Sequence, residues 1–181
     1  MYSLTPEDKF QFCFKVILSH EGGLSKDKRD PGGITNWGIS LRYLKSIGYD
    51  YNNDGKIDDQ DIIGMTVDGA EEIYRKNWWD AFHYDTFNSL DVCAKVFDLA
   101  VNMGAYSAHK LLQIAINRLS ETPIAVDGIL GVQTFGAANS LPSCKLRNEL
   151  RLCAEHRYIN IIANNPEMDW ARRGWMNRAA W

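Results

Sequence analysis

Apolar residues recur three and four apart along most of this chain, the spacing of one helix face, and only one short stretch reads as strand. The opening helical run covers 5–20, with Thr5 as N-cap, Pro6 at the first helical position and Asp8 in the first turn. Its apolar face is Phe10, Phe14, Ile17 and Leu18, and Gly22 and Gly23 end it. Pro31-Gly32-Gly33 then predicts a tight turn, and Ile34 to Ile39 a strand-like piece, together a small hairpin over 30–40. A helix over 40–48 leads into a polar stretch. Thr66 to Trp79 reads as a capped helix with Ala70, Ile73, Tyr74 and Trp78 on its core face. The same spacing predicts helices near 91–103, 106–118, 131–139, 143–163 and 167–178. There is no internal repeat, low-complexity tract or linker, so the expected architecture is mainly α with one β element.

Composition narrows the class. The chain has 181 residues, 45% hydrophobic and 24% charged, enough for one sizeable core and too apolar for disorder. A net charge of -3 provides no basic stripe, which argues against nucleic acid as a partner. No apolar stretch approaches the length of a membrane span, and Met1 to Phe10 lacks the charged start and apolar core of a signal peptide. The expectation is a soluble monomer made in the cytoplasm. Cys13, Cys93, Cys144 and Cys153 form no metal spacing and read as buried free thiols. His20, His83, His109 and His156 show no ligand spacing and read as surface or packing residues.

The chemistry concentrates between His20 and Ile39. Glu21 closes a helix, where the negative end of the macrodipole disfavours its ionised form and is expected to raise its pKa, as a general acid near neutral pH requires. Asp27 and Asp30 follow, and Thr35 returns on the hairpin. Two carboxyl groups on opposite walls of a cleft are what glycoside hydrolysis needs. The series Glu21, Gly22, Gly23, Asp30, Gly32, Gly33, Thr35, Gly38 and Ile39 resembles the pattern of glycoside hydrolase family 108, bacterial and prophage N-acetylmuramidases. Leu24 departs from the aromatic residue often found there, so one wall of the sugar cleft is expected to differ.

Further matches extend the resemblance over most of the chain. They include Asp98, Asn102 and Gly104 in Phe-Asp-Leu-Ala-Val-Asn-Met-Gly, and Leu112-Gln113. Val126-Asp127-Gly128-Ile129-Leu130-Gly131-Val132-Gln133-Thr134 resembles the signature of peptidoglycan-binding helical modules. Physically it is an Asp-Gly turn followed by a helix start. The resemblance implies a lysozyme-like α-helical fold, with a catalytic lobe at 1–90 and a wall-binding helical lobe at 91–181, together one compact unit. It assigns Glu21, Asp30 and Thr35 to catalysis. Asn102 either contacts the glycan or joins two helices as a buried amide, and Asp98 reads as a structural acceptor. Trp37, beside Thr35, is placed at the cleft because aromatic faces suit the apolar faces of sugars.

The polar stretch from Asp50 to Asp61 fits a twelve-residue EF-hand loop. Asp50, Asn52 and Asp54 occupy positions 1, 3 and 5, Gly55 the turn at 6, Lys56 its backbone carbonyl at 7, and Asp58 and Asp61 positions 9 and 12. Position 12 carries Asp instead of Glu, as in dockerin-type loops. The alternative is a solvated acidic loop, but four carboxylates in a compact turn repel one another unless a cation neutralises them. A single structural calcium is the expected cofactor.

The implied activity is hydrolysis of the β-1,4 bond between N-acetylmuramic acid and N-acetylglucosamine in peptidoglycan. Retention or inversion depends on a carboxylate separation that sequence does not carry. A holin or a secretion system is the implied export partner. Two rivals stay open: a lytic transglycosylase using one Glu, and a non-catalytic, calcium-stabilised wall-binding or secretion-helper module.

Overall fold

The computed structural model describes residues 4–26 and 33–181. Asp27, Asp30, Pro31 and Gly32 therefore lie outside the described residues. Helix α1 (Pro6–His20) begins in a capping box: Thr5 Oγ1 accepts from the Asp8 amide, and Asp8 returns the bond to the Thr5 amide at 2.9 Å. The Thr5 hydroxyl, donating to the Asp8 carboxylate at 2.6 Å, and the Thr5 amide together hold that carboxyl below its ordinary range. Phe10, Cys13, Phe14 and Ile17 are its buried face.

The hairpin is short. Strands β1 (Thr35–Asn36) and β2 (Ile39–Ser40) pair antiparallel, Thr35 with Ser40 and Asn36 with Ile39, across the two-residue turn Trp37-Gly38. Both turn residues have positive φ, +51° and +80°, the geometry of a type I′ turn. For Trp37 that costs roughly 1–2 kcal/mol. Ser25 adds a bridge to Thr35 through two backbone bonds of 2.8 and 2.9 Å.

Helix α2 (Leu41–Ile47), capped by Ser40 and ended by Gly48 in the left-handed region, feeds the 50–61 loop. The loop exits into a five-residue helix, α3 (Asp59–Ile63), which the hydrophobic pattern did not predict. Buried Asn36 ties the hairpin to this helix by donating to the carbonyls of Ile62 and Met65 at 3.0 and 3.3 Å.

Helix α4 (Val67–Tyr74), capped by Thr66, buries Ala70, Ile73 and Tyr74 as expected. The single helix expected to Trp79 instead widens into a π-helical turn over Arg75–Asp80, and both Trp78 and Trp79 are buried there.

Helix α5 (Leu90–Met103) runs through the centre, and every residue from Val92 to Ala100 is buried, the charged Lys95 and Asp98 included. It packs on α1, on α6 (Ala105–Leu119) and on α8 (Ser143–Asn164). Helix α7 (Val132–Ser140) touches both α6 and α8, which also pack directly on each other. A 3-10 stretch from Pro166 to Ala171 precedes α9 (Arg172–Ala180), so the helix expected at 167–178 starts later. The fold is mainly α with one small sheet, and its buried apolar residues form one continuous core from Phe10 to Ala179. Cys13, Cys93 and Cys153 are buried free thiols, whereas Cys144, expected to be buried, is exposed because it lies in the first turn of α8. No helix of the described residues is long and apolar enough to cross a membrane.

Candidate active site

Glu21 is the C-cap of α1, with extended backbone and its amide bonded to the Ile17 carbonyl at 2.9 Å. Its side chain is 18% exposed. The sequence expectation placed it against a helix terminus alone, but its principal partner comes from the far end of the chain. Arg178 Nη2 donates to Glu21 Oε1 at 2.6 Å. The other nitrogen of the fork, Nη1, donates to the Asp98 carbonyl at 3.2 Å and lies 3.3 Å from Asp98 Oδ1.

Asp98 is fully buried, and His20 Nδ1 sits 3.0 Å from the same Oδ1. Its Oδ2 has no hydrogen-bond partner among the described residues. A histidine, an arginine and two carboxyl groups thus form one connected array. Burial opposes the charge on Arg178, but the carboxylates of Asp98 and Glu21 outweigh it and leave the guanidinium more basic than usual.

Gly38 presses on Glu21 from the hairpin. A Cβ built there would lie 2.7 Å from Glu21 Cγ and 2.4 Å from the Tyr74 hydroxyl. That hydroxyl donates to the Trp37 carbonyl at 3.1 Å and so fixes the strained turn. Burial, reinforced by the Glu21 charge, pushes the Tyr74 phenol well above its ordinary pKa. Tyr74 is therefore a neutral donor.

Gly38 also lines a groove of about 650 Å³ between the hairpin side and the α5–α6 junction. Its aromatic wall is Tyr43, Trp78 and Phe82, with Tyr43 and Trp78 rings 4.7 Å apart. Burial pushes the Tyr43 phenol up to about 12, against a hydrogen bond from Asn77. Asn102 lines the opposite side, its Oδ1 accepting from Tyr158 at 2.8 Å, so it joins α5 to α8 while also facing the groove. Trp37 spends its indole N–H on the Met65 carbonyl at 3.1 Å and does not line this groove. The aromatic wall was missed because Trp78 shares its helical spacing with core residues. Thr35 is held by its backbone bridges to Ser25, with its hydroxyl 3.5 Å from the Gly33 carbonyl. Asp30, the expected second carboxylate, lies outside the described residues.

In the 50–61 loop, the Asp50 carboxylate accepts from the Gly55 amide at 2.7 Å, and Asn52 and Asp54 form turns on the amides of Asp54 and Lys56. Asn53 and Gly55 have positive φ. Asp58 caps α3 through the Gln60 amide. Asp61 is fully buried and accepts from the amides of Tyr51, Asn52 and Asp58, which lower its pKa against the effect of burial. Asp50 Oδ1 is buried without a partner among the described residues. No three His, Cys, Asp or Glu side chains among the described residues form a ready-made metal cluster.

The Asp-Gly turn at 127–128 is a scaffold. Gln113 donates to Asp127 at 2.7 Å and accepts from the Gly128 amide at 2.7 Å, and Thr134 closes on the Ile129 carbonyl. Gly128 has φ +78°, and a Cβ there would strike the Tyr106 ring at 2.5 Å. Its carbonyl lies 3.1 Å from His109 Nδ1, whose Nε2 meets the Tyr84 hydroxyl at 2.8 Å. These bonds account for Asp127, Gly128 and Thr134 in the signature, and for Gln113 that braces it, without invoking sugar.

The sequence model described as Glycosyl hydrolase 108 matches residues 14–104, and one described as a predicted peptidoglycan domain matches 107–180. The chain belongs to glycosyl hydrolase family 108. It is a peptidoglycan hydrolase of the N-acetylmuramidase type. Among solved structures, "Structure of Brucella abortus SagA" is similar with TM-score 0.74 and 25% identity, over 96% of this chain and 95% of that one. No curated protein matches.

Proposed function

We propose that Glu21 is the general acid that protonates the leaving glycosidic oxygen between N-acetylmuramic acid and N-acetylglucosamine. The observation that carries this reading is the position of Glu21: partly exposed at a helix end, packed against a glycine that lines a groove of saccharide dimensions, with one carboxyl oxygen ion-paired. Asp30 is the proposed second carboxylate, stabilising the oxocarbenium-like transition state or activating water with help from Thr35. Asn102 is the proposed glycan contact on the groove wall, with Tyr43, Trp78 and Phe82 offering aromatic faces to the sugar rings.

We also propose one structural calcium in the 50–61 loop, held by Asp50, Asn52, Asp54, the Lys56 carbonyl, Asp58 and Asp61. Support comes from the partnerless buried Asp50 oxygen and from the turn geometry at Asn52, Asp54 and Gly55.

Mass spectrometry of digested peptidoglycan tests the reaction. Hydrolysis yields reducing N-acetylmuramic acid ends, whereas 1,6-anhydro ends would assign the chain to the lytic transglycosylases instead.

A further inference from the structure

Arg178 lies in α9, within the segment matched by the peptidoglycan domain, yet its guanidinium sits in the centre that holds Glu21. It is 5% exposed, so water does not compete for its bonds. The end of α9 is fixed from several sides. Fully buried Lys95 donates to the carbonyls of Arg178 at 2.5 Å and Ala179 at 3.2 Å, satisfying the helix's last acceptors with a cation. Arg147 donates to the Trp181 carbonyl, and the Trp181 ring meets His20 edge-on at 5.5 Å. Fork, helix end and carboxylate are therefore one rigid assembly.

A buried ion pair is a poor device for stability alone, since well-packed apolar residues of similar volume often do as well. Here the fork spans two carboxyl groups, one in the core and one packed against Gly38 of the groove wall. It engages Oε1 of Glu21 and leaves Oε2 without a partner among the described residues.

We propose that Arg178 is a positioning residue for the muramidase reaction, fixing the Glu21 carboxyl so that Oε2 is the proton-transfer atom, and that the C-terminal unit thereby completes the catalytic centre. This rests on Glu21 being the general acid. The titratable groups around the pair include Asp98 and Lys95 from α5, His20 from α1, Tyr74 from α4 and Tyr158 from α8.

The test uses the full chain with Arg178→Met and Arg178→Lys, assayed on soluble glycan strands well below their melting temperatures. Arg178→Met is expected to lower kcat at least about tenfold with KM within about twofold, because a misplaced acid costs the transition state and not binding. Arg178→Lys keeps the charge but not the fork, and its kcat lies between. Wild-type kcat in a folded Arg178→Met would overturn the proposal. If that variant does not fold, Arg178→Lys decides: reduced kcat at unchanged KM supports the proposal, and wild-type kcat overturns it. A parallel Glu21→Gln control separates the two readings. Retained activity there removes the premise, whereas an inactive control beside unaffected Arg178 variants removes this inference alone.

Discussion

Gly38 and Glu21 share a space that has no room for one more carbon: a Cβ on Gly38 would lie 2.7 Å from Glu21 Cγ and 2.9 Å from Cδ. The hairpin and the end of α1 are thus fitted to each other at the atom level. The glycine at this place is required twice over, by its φ of +80° and by the carboxyl group beside it.

Gly38→Ala is therefore expected to cost about 1–3 kcal/mol of stability and to displace Glu21. An ångström of displacement at a reacting group can remove about 100-fold in rate. Thermal melting together with turbidity clearing of purified peptidoglycan checks this, and a variant with wild-type clearing would show that the contact is relieved without moving the carboxyl group.

Asn36 links hairpin to α3, so Asn36→Ala leaves the Ile62 and Met65 carbonyls without this donor in a buried site. A loss of about 1–3 kcal/mol is expected in denaturant unfolding. Because the same hairpin carries Thr35, activity should fall by more than stability alone explains.

A cation that binds only the folded loop stabilises by about 2.7 kcal/mol at a hundredfold excess over its dissociation constant. EDTA should lower the melting temperature and the activity, calcium should restore both, and Asp54→Ala should mimic chelation without adding to it. Identical melting curves with and without EDTA, in protein shown by elemental analysis to carry calcium, would remove the structural role. If elemental analysis never finds calcium, the solvated-loop reading stands.

His109 gives the fold an acid-sensitive point. Burial, opposed by its bond to the Gly128 carbonyl, lowers its pKa from 6.5 to about 4. The unfolded chain then binds the proton first, so the neutral histidine's contribution is full above about pH 6.5 and is lost as pH falls through about 4. His109→Gln should flatten the stability–pH slope across that window. An unchanged slope would place the acid sensitivity elsewhere.

Much of this was legible along the chain. Thr5, Pro6 and Asp8 start α1 as their chemistry dictates, Ser40 and Thr66 cap α2 and α4, and helical spacing located α5 to α8 closely. Local patterns carry local structure. Arg178 did not announce itself, because its partner lies 157 residues away and a lone arginine near the end of a polar helix has no local signature. Lys95 is similar: its helix shows an apolar run, and only tertiary packing reveals that the ammonium caps α9, with burial bringing its pKa down to about 8. The π-helical turn was hidden because adjacent tryptophans fit an ordinary helix equally well in a spacing count.

Asp30→Asn is expected to cost far more activity than Asp27→Asn, since only Asp30 stands in the Asp-x-Gly-Gly-x-Thr series that leads into the hairpin. Rates of clearing for the two purified variants decide it. A more damaging Asp27→Asn would assign the second carboxylate to Asp27.

The most direct test of the catalytic account is zymography on purified peptidoglycan, with wild type beside Glu21→Gln and a melting curve for each. The amide keeps the volume of the side chain and removes the transferable proton. The account predicts a folded protein with no clearing zone. Clearing near the wild-type level by folded Glu21→Gln would contradict it.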